Sequence, residues 1–339
     1  MVRLTRVFTL VGLAAAMLSL TACERTITRV ESVSAPLACA DCHVANNLIT
    51  GKETQWAESV HGTGEAYLRG TSASCAACHS GNAFQEAVAA GLNPSQLTSG
   101  DPDPTRQDCR ACHKIHDTYT MGDFALETTA PVAFYAGSLV GTTFDGGEGN
   151  LCVNCHQPRR TIPAAVAGII SGISEHWGPH HGPQSIMLLG LGGGPGVTGT
   201  AHQHYGVENS CVQCHMGSGL NHTFEPSVST CAQQACHPGA TNFDINGRRS
   251  EIAALVDQLG AELLAANLIN VNSEDGHPIV TSAPENQAIA LWNWIYVAHE
   301  DKSMGVHNYP YAKALLEDGL ARMAAPAPNP APVLAKAGQ

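Results

Sequence analysis

Apolar positions along the chain gather at its two ends and thin out between them. Behind Arg3 and Arg6, the fourteen residues from Val7 to Leu20 are mostly apolar. That run is too short to span a bilayer and has the form of an export-signal core. Towards the other end, Ile252, Leu255, Val256, Leu259 and Leu263 recur with helical period and predict one amphipathic helix from about Ser250. Ser282 and Glu285 have capping-box spacing, which predicts a second helix running through Trp292 and Trp294. A third is predicted from Asn308 to Met323, with Pro310 tolerated in its first turn. These helices read as single apolar stripes that must bury against another surface. The middle of the chain has no sustained period, so the expected fold class is mainly α with extensive coil and little β. Gly190–Gly199 lacks the strand–turn–helix context of a nucleotide loop and reads as a flexible loop.

Composition changes the picture of what fills the interior. Only 14% of the 339 residues are charged and 5% aromatic, against roughly 25% charged in ordinary soluble domains. The usual large pieces of a core are scarce, and a non-protein core would supply them. Thirteen Cys and seventeen His point to metal or cofactor chemistry. The net charge of -12 argues against nucleic acid and anionic lipid surfaces as partners. Cleavage after residue 22 would remove the two positive charges of Arg3 and Arg6, taking -12 to -14.

The cysteines sort themselves. Leu20-Thr21-Ala22-Cys23 resembles a bacterial lipobox, which implies acylation of Cys23. The other twelve form six pairs, each followed at once by His: Cys39, Cys42, His43; Cys75, Cys78, His79; Cys109, Cys112, His113; Cys152, Cys155, His156; Cys211, Cys214, His215; and Cys231, Cys236, His237. Five are C-x-x-C-H, the attachment pattern of haem c, and the sixth has four residues between its cysteines. Six chance placements of His would occur with probability on the order of 10⁻⁸, so the pattern is specific. Zinc sites or disulfides do not require a His after every second Cys. Two thiols a few residues apart form thioethers to the haem vinyl groups, and the next His becomes the proximal iron ligand. The expected cofactors are six covalent haem c groups.

Eleven His remain after the six proximal ones. Methionine is a poorer source of distal ligands: two of the seven Met lie in the export signal and Met216 directly follows a proximal His. The candidates are His61, His116, His180 or His181, His202 or His204, His222 and His307, making every haem bis-His. His116 follows His113 by three residues, so the two would share one face of a helical turn and serve different irons. His307 is expected to ligate an iron in trans and clamp the C-terminal helices. His176, His277 and His299 read as non-ligands.

At Gly178-Pro179-His180-His181-Gly182-Pro183-Gln184, Cys211 to Met216, and His222-Thr223-Phe224, the chain resembles multihaem c-type cytochromes of anaerobic, metal-reducing bacteria. Leu291–Trp294, Glu300–Ser303 and Gly305–Asn308 are similar to the C-terminal segment of that group. A Gly-x-His-Asn element also resembles the nitrite reductase and hydroxylamine oxidoreductase lineage. The resemblance covers about residues 39–323 and implies His180, His202 and His307 as distal ligands, with His181 and His204 left as alternatives. It implies a lipid-anchored electron carrier of anaerobic respiration, passing electrons between other redox proteins and an extracellular or terminal acceptor such as a metal oxide. No C-x-x-C-Lys motif, the catalytic haem site of the nitrite reductases, is present.

The implied organisation is a signal peptide over 1–22, a lipid-anchored tether over 23–38, an elongated six-haem region over 39–249, helices over 250–323 packing on the haems, and a disordered tail over 324–339. Glu24 after the lipobox favours outer-membrane sorting, by resemblance to lipoprotein rules. The reading favours electron transfer without a substrate of its own. Two alternatives stand beside it: a multihaem reductase of a small oxyanion, and a subunit of a polymerised extracellular cytochrome wire.

Overall fold

In the computed structural model, residues 49–180, 182–233, 235–270 and 276–325 are described. The chain divides into Met1–Pro36, outside those residues, and Leu37–Gln339, to which everything below refers. The export signal, Cys23, the tether, the first motif (Cys39, Cys42, His43), His181 and residues 326–339 of the tail all lie outside the described residues.

Short helices and turns dominate the first half. α1 (Thr50–Glu58) ends at Ser59, whose hydroxyl accepts from Gly62 N–H and caps α2 (Val60–Thr63). α3 (Ala73–His79) leads into α4 (Gly81–Ala89), capped by Ser80, and α5 (Cys109–Cys112) is capped by Asp108. Such one- and two-turn helices have no autonomous stability, so caps and tertiary contacts hold them. Among the described residues before Val132, the buried apolar ones are Ala76, Ala77, Ala83, Phe84, Ala87 and Ala111. Five alanines and one phenylalanine are a meagre protein core.

A two-stranded antiparallel ladder follows, β1 (Val132–Ala133) with β2 (Thr143–Phe144), registered Val132 to Phe144. α6 (Asn150–Val153) comes next, and then β3 (Ile169–Ser171). α7 (Gln184–Leu189) stops at Gly190, where a φ of 71° suits glycine. α8 (Cys211–His215) and α9 (Val228–Cys231) are again single turns or little more. The fold is mainly helix and coil with little strand, as the sequence led us to expect.

α10 (Arg248–Ala265) buries Ile252, Val256, Leu259 and Leu263, with Leu255 half-buried beside them, as the apolar period requires. Each fully buried aliphatic side chain contributes about 1.5–3 kcal/mol. The capping-box expectation at Ser282 is corrected. Ser282 opens β4 (Ser282–Pro284), which pairs antiparallel with β3 through Ile170 and Ala283. α11 (Glu285–Ile295) therefore starts after Pro284 without a side-chain cap. Pairing with a distant strand overrides the local signal.

α11 is also no single stripe. Every residue from Ala288 to Ile295 is buried, enclosed by α10, α12 (Tyr309–Ala324) and the glycine-rich segment. Asn308 caps α12 as expected, its side chain accepting from Tyr311 N–H. The glycine-rich segment is not a free loop. Gly193 N–H donates to Tyr311 Oη, Gly194 N–H to Asn293 Oδ1, and Trp292 Nε1 to Gly192 O. A Cβ on Gly193 would stand 2.2 Å from Leu315 Cδ2. The glycines let backbone lie directly on two helices. Between α11 and α12 the chain passes through a π-helical turn, Tyr296–Asp301, that buries both Glu300 and Asp301.

Candidate functional site

Each described motif starts on or beside a helical turn. Cys75 and Cys78 lie on α3, Cys109 and Cys112 on α5, and Cys211 and Cys214 on α8. Spacing of i and i+3 puts both thiols on one helix face. Cys152 lies on α6 with Cys155 just beyond it, and Cys231 ends α9 with Cys236 in the following turn. No disulfide joins any of the ten described cysteines.

The motifs also abut one another, in a series that passes over the third. Cys78 Sγ is 3.8 Å from Asn154 O and Cys155 Sγ is 4.0 Å from Ala77 O, so the second and fourth motifs lie side by side. Cys211 Sγ is 3.9 Å from Gly149 O, and its thiol lies beside that of Cys152, joining the fifth motif to the fourth. Cys214 in turn is within electrostatic reach of Cys231 and Cys236 of the sixth.

Every described motif histidine faces a second imidazole at nearly one distance. Ring centroids are 6.2 Å apart for His156 and His61, 6.3 Å for His79 and His180, 6.2 Å for His113 and His222, 6.2 Å for His215 and His307, and 6.1 Å for His237 and His204. The partners come from α2, from the 178–183 loop, from the turn after α8, from the corner before α12 and from the 3-10 turn Gln203–Gly206.

Ring nitrogens are fixed as consistently as ring positions. Nδ1 donates to Ala66 O from His79 (3.0 Å), to Phe124 O from His113 (2.7 Å), to Gln184 Oε1 from His156 (2.9 Å) and to Phe224 O from His215 (2.9 Å). Among the partners, His204 donates to Val306 O at 2.7 Å, His222 to Leu220 O at 2.8 Å and His307 to Asp301 Oδ1 at 2.6 Å. A ring that donates through Nδ1 and is otherwise neutral leaves its Nε2 lone pair for a metal. Burial holds most of these rings below the ordinary histidine range: His61 falls to about 4, with His156 adding to the effect, and His79, His156, His204, His215 and His222 fall too. His307 goes the other way. Burial pulls it down, but the charge and hydrogen bond of Asp301 outweigh that and raise it.

Among the described residues no group of three or more His, Cys, Asp or Glu gathers to hold a metal ion. What recurs is two opposed imidazoles, a pair that could hold one metal ion and would leave its remaining ligands to another molecule. A macrocycle attached through the two thiols of each motif fits that geometry, and the alanine-lined first half suits a large apolar group. The residues therefore fit haem c.

The structure also separates candidates the sequence left together. His204, not His202, faces His237; His202 opens the 3-10 turn, its Nδ1 accepting from His204 N–H at 3.3 Å. His180 faces His79, while His181 lies outside the described residues. His116 shares no helical face with His113, because α5 stops at Cys112. Instead its ring stacks on Tyr119 at 5.5 Å, in a loop whose His116, Thr118 and Tyr119 N–H groups all donate to the Asp123 carboxylate. His176 lies beside Glu175 and His299 against Trp294.

Sequence reasoning missed the residues behind the histidines. Glu300 accepts the His180 N–H at 2.9 and 3.0 Å, and burial pushes its carboxyl up to about 8. Gln184 receives the His156 ring proton while donating to Glu300 O at 3.0 Å. The signal available was Glu300-Asp301, two acids closing an otherwise apolar helical run.

No protein-family model matches the sequence, and no curated protein matches it. The fold is similar to that of the outer cell wall cytochrome OcwA, with a TM-score of 0.52 at 20% identity, over 80% of this chain and 50% of that one. A lower similarity, with a TM-score of 0.42 at 17% identity, relates 79% of this chain to 40% of an undecahaem cytochrome from the S-layer of Carboxydothermus ferrireducens. The chain thus spans half or less of the length of these proteins. The likeness to OcwA is one of fold.

Proposed function

We propose that this chain is an exported multihaem c-type cytochrome whose six haems, each bis-His ligated, pass electrons one at a time between redox partners. The observation that carries the proposal is the five opposed imidazole pairs. With metal–imidazole bonds of about 2 Å, and roughly 1 Å from each ring nitrogen to its centroid, two imidazoles on opposite sides of one metal ion stand about 6 Å apart. Five unrelated stretches of chain reach that spacing, each opposite a different motif histidine.

In this reading the proximal ligands are His43, His79, His113, His156, His215 and His237. Their distal partners are His116, His180, His222, His61, His307 and His204. His116 is assigned to His43 by elimination. Haem c supplies the one-electron iron couple; the chain's own residues hold it, orient the rings and tune them. With both axial positions filled, such sites exchange electrons without binding a substrate. The abutting second, fourth, fifth and sixth motifs supply a path that passes over the third. Cys23 is the acylated anchor and other redox proteins are the partners. The name of OcwA, an outer cell wall cytochrome, accords with export.

Haem assay of the holoprotein together with EPR tests the reading. Six haems per chain, all low-spin when oxidised, are expected. Five haems would remove the sixth motif, and a high-spin ferric haem in intact protein would turn the reading towards a reductase. Cys23→Ser is expected to retain haem and leave the membrane fraction; unchanged membrane association would overturn the anchor.

A further inference from the structure

Seven rings at these sites have a partner assigned to Nδ1, and six of those partners are neutral oxygens. The seventh is a carboxylate. Asp301 Oδ1 accepts from His307 Nδ1 at 2.6 Å, and its side chain is wholly excluded from solvent. Its other oxygen, Oδ2, takes the N–H and hydroxyl of Ser303. Among the described residues no lysine or arginine forms an ion pair with it. Its charge is thus directed at the His307 ring and carried in a medium that screens it poorly.

Resting on the assignment of His307 and His215 to one iron, we infer that Asp301 tunes that iron, holding its potential below those of the sites whose assigned ring partners are all neutral oxygens. Two effects run in the same direction. A carboxylate drawing on the Nδ1 proton makes Nε2 a more basic ligand, which favours ferric over ferrous iron. The buried negative charge also stabilises the state with the extra positive charge. The π turn makes the placement possible, since it turns Glu300 and Asp301 inward together, one to the backbone of His180 and the other to the ring of His307.

Position gives the tuning a consequence. The fifth motif touches the fourth through Cys211 and Cys152, and approaches the sixth through Cys214. An electron moving between the fourth and sixth sites along these contacts crosses the site Asp301 controls. That site is the last of the three to be reduced, and it sets how readily the sixth exchanges electrons with the rest.

The test is a redox titration of the holoprotein, with each haem followed by EPR or NMR. Asp301→Asn keeps the shape and removes the charge. At the wild-type midpoint of that haem, the ratio of ferric to ferrous iron is expected to fall at least tenfold, an upward shift of about 59 mV for one electron. The low-spin signal of that haem should move as its ligand becomes less basic, with the other five midpoints held within a threefold change in ratio. Ser303→Ala, which removes a hydroxyl donor from Asp301 and leaves more of its charge on His307, is expected to shift the same midpoint down. Six low-spin haems with unmoved midpoints in both variants would overturn the inference and leave the proposed function standing. A wild-type protein with fewer haems, or with an open axial site at the fifth motif, would overturn the function itself. Should Asp301→Asn fail to fold, the downward shift in Ser303→Ala decides alone, and its absence overturns the inference.

Discussion

His204 donates its Nδ1 proton to the carbonyl oxygen of Val306 at 2.7 Å, one residue before His307. Two rings, facing His237 and His215, are thereby tied to one corner of the chain. His204→Ala is expected to turn the sixth haem high-spin or water-ligated and to disturb the low-spin signal of the fifth through the freed Val306 carbonyl. His202→Ala is expected to leave six low-spin haems. EPR of the two oxidised variants compares them directly; a high-spin haem in His202→Ala with none in His204→Ala would reverse the assignment.

The corner matters because of what it joins. His307 sits between the π turn and α12, its backbone N–H donating to Ser303 Oγ at 3.2 Å, while Asn308 Nδ2 donates to Met187 O and Thr200 O. His307→Ala is expected to convert one haem from six-coordinate low-spin to high-spin or water-ligated, to raise its potential and to leave five unchanged. A ferric spectrum that stays wholly low-spin with no new ligand would remove His307 from the axial set.

The helical end should respond to packing changes where no ring is involved. Gly193→Ala places a methyl 2.2 Å from Leu315 Cδ2 and 2.7 Å from Tyr311 Oη, an overpacking worth about 1–3 kcal/mol. Trp292→Ala empties a fully buried site, at a cost of about 3–5 kcal/mol. Gly51, in α1, has nothing within 4 Å of its missing Cβ; there alanine is expected to add about 0.5–1 kcal/mol. Thermal unfolding of the holoprotein should place Trp292→Ala lowest, Gly193→Ala between it and wild type, and Gly51→Ala above wild type.

How much of this was legible depended on whether the signal was local. The Cys–Cys–His pattern stands out because haem attachment would require two thiols and a histidine within a few residues, and α10 and α12 could be read because burial on one side imposes a period. Ser282 misled because its strand partner, Ser171, is far away in sequence. α11 misled for a related reason: its outer face is covered by glycine backbone, and glycines carry no hydropathy signal of packing. His202 and His204 could not be separated by spacing, since either is within reach of the sixth motif. The 3-10 turn, which sends one ring to His237 and uses the other to open the turn, distinguishes them. Asp301 was visible as an acid, but the π turn that aims it inward was not.

The contact between α10 and α12 should carry a pH dependence that involves none of the paired rings. Glu251 accepts from Lys313 Nζ and Tyr309 Oη, and these hydrogen bonds, Lys313 first, hold its carboxyl below the ordinary value of 4.5. A depressed carboxyl contributes stability that is fully present above its unfolded value and is lost as pH falls through the lower folded value. Lys313 is raised above its ordinary 10.5, chiefly by the same bond, so its share is present below that value and lost as pH climbs through the folded one. Glu251→Gln is therefore expected to be less stable than wild type across neutral pH. The difference should close in acid below about pH 4.5, and again in strong alkali. The pair is partly exposed, so the gap should be modest and shrink with added salt. Melting temperatures of the two proteins measured from pH 3 to 9 check it. A gap that persists unchanged at the acid end would mean that Glu251 stabilises the contact by packing and not by charge.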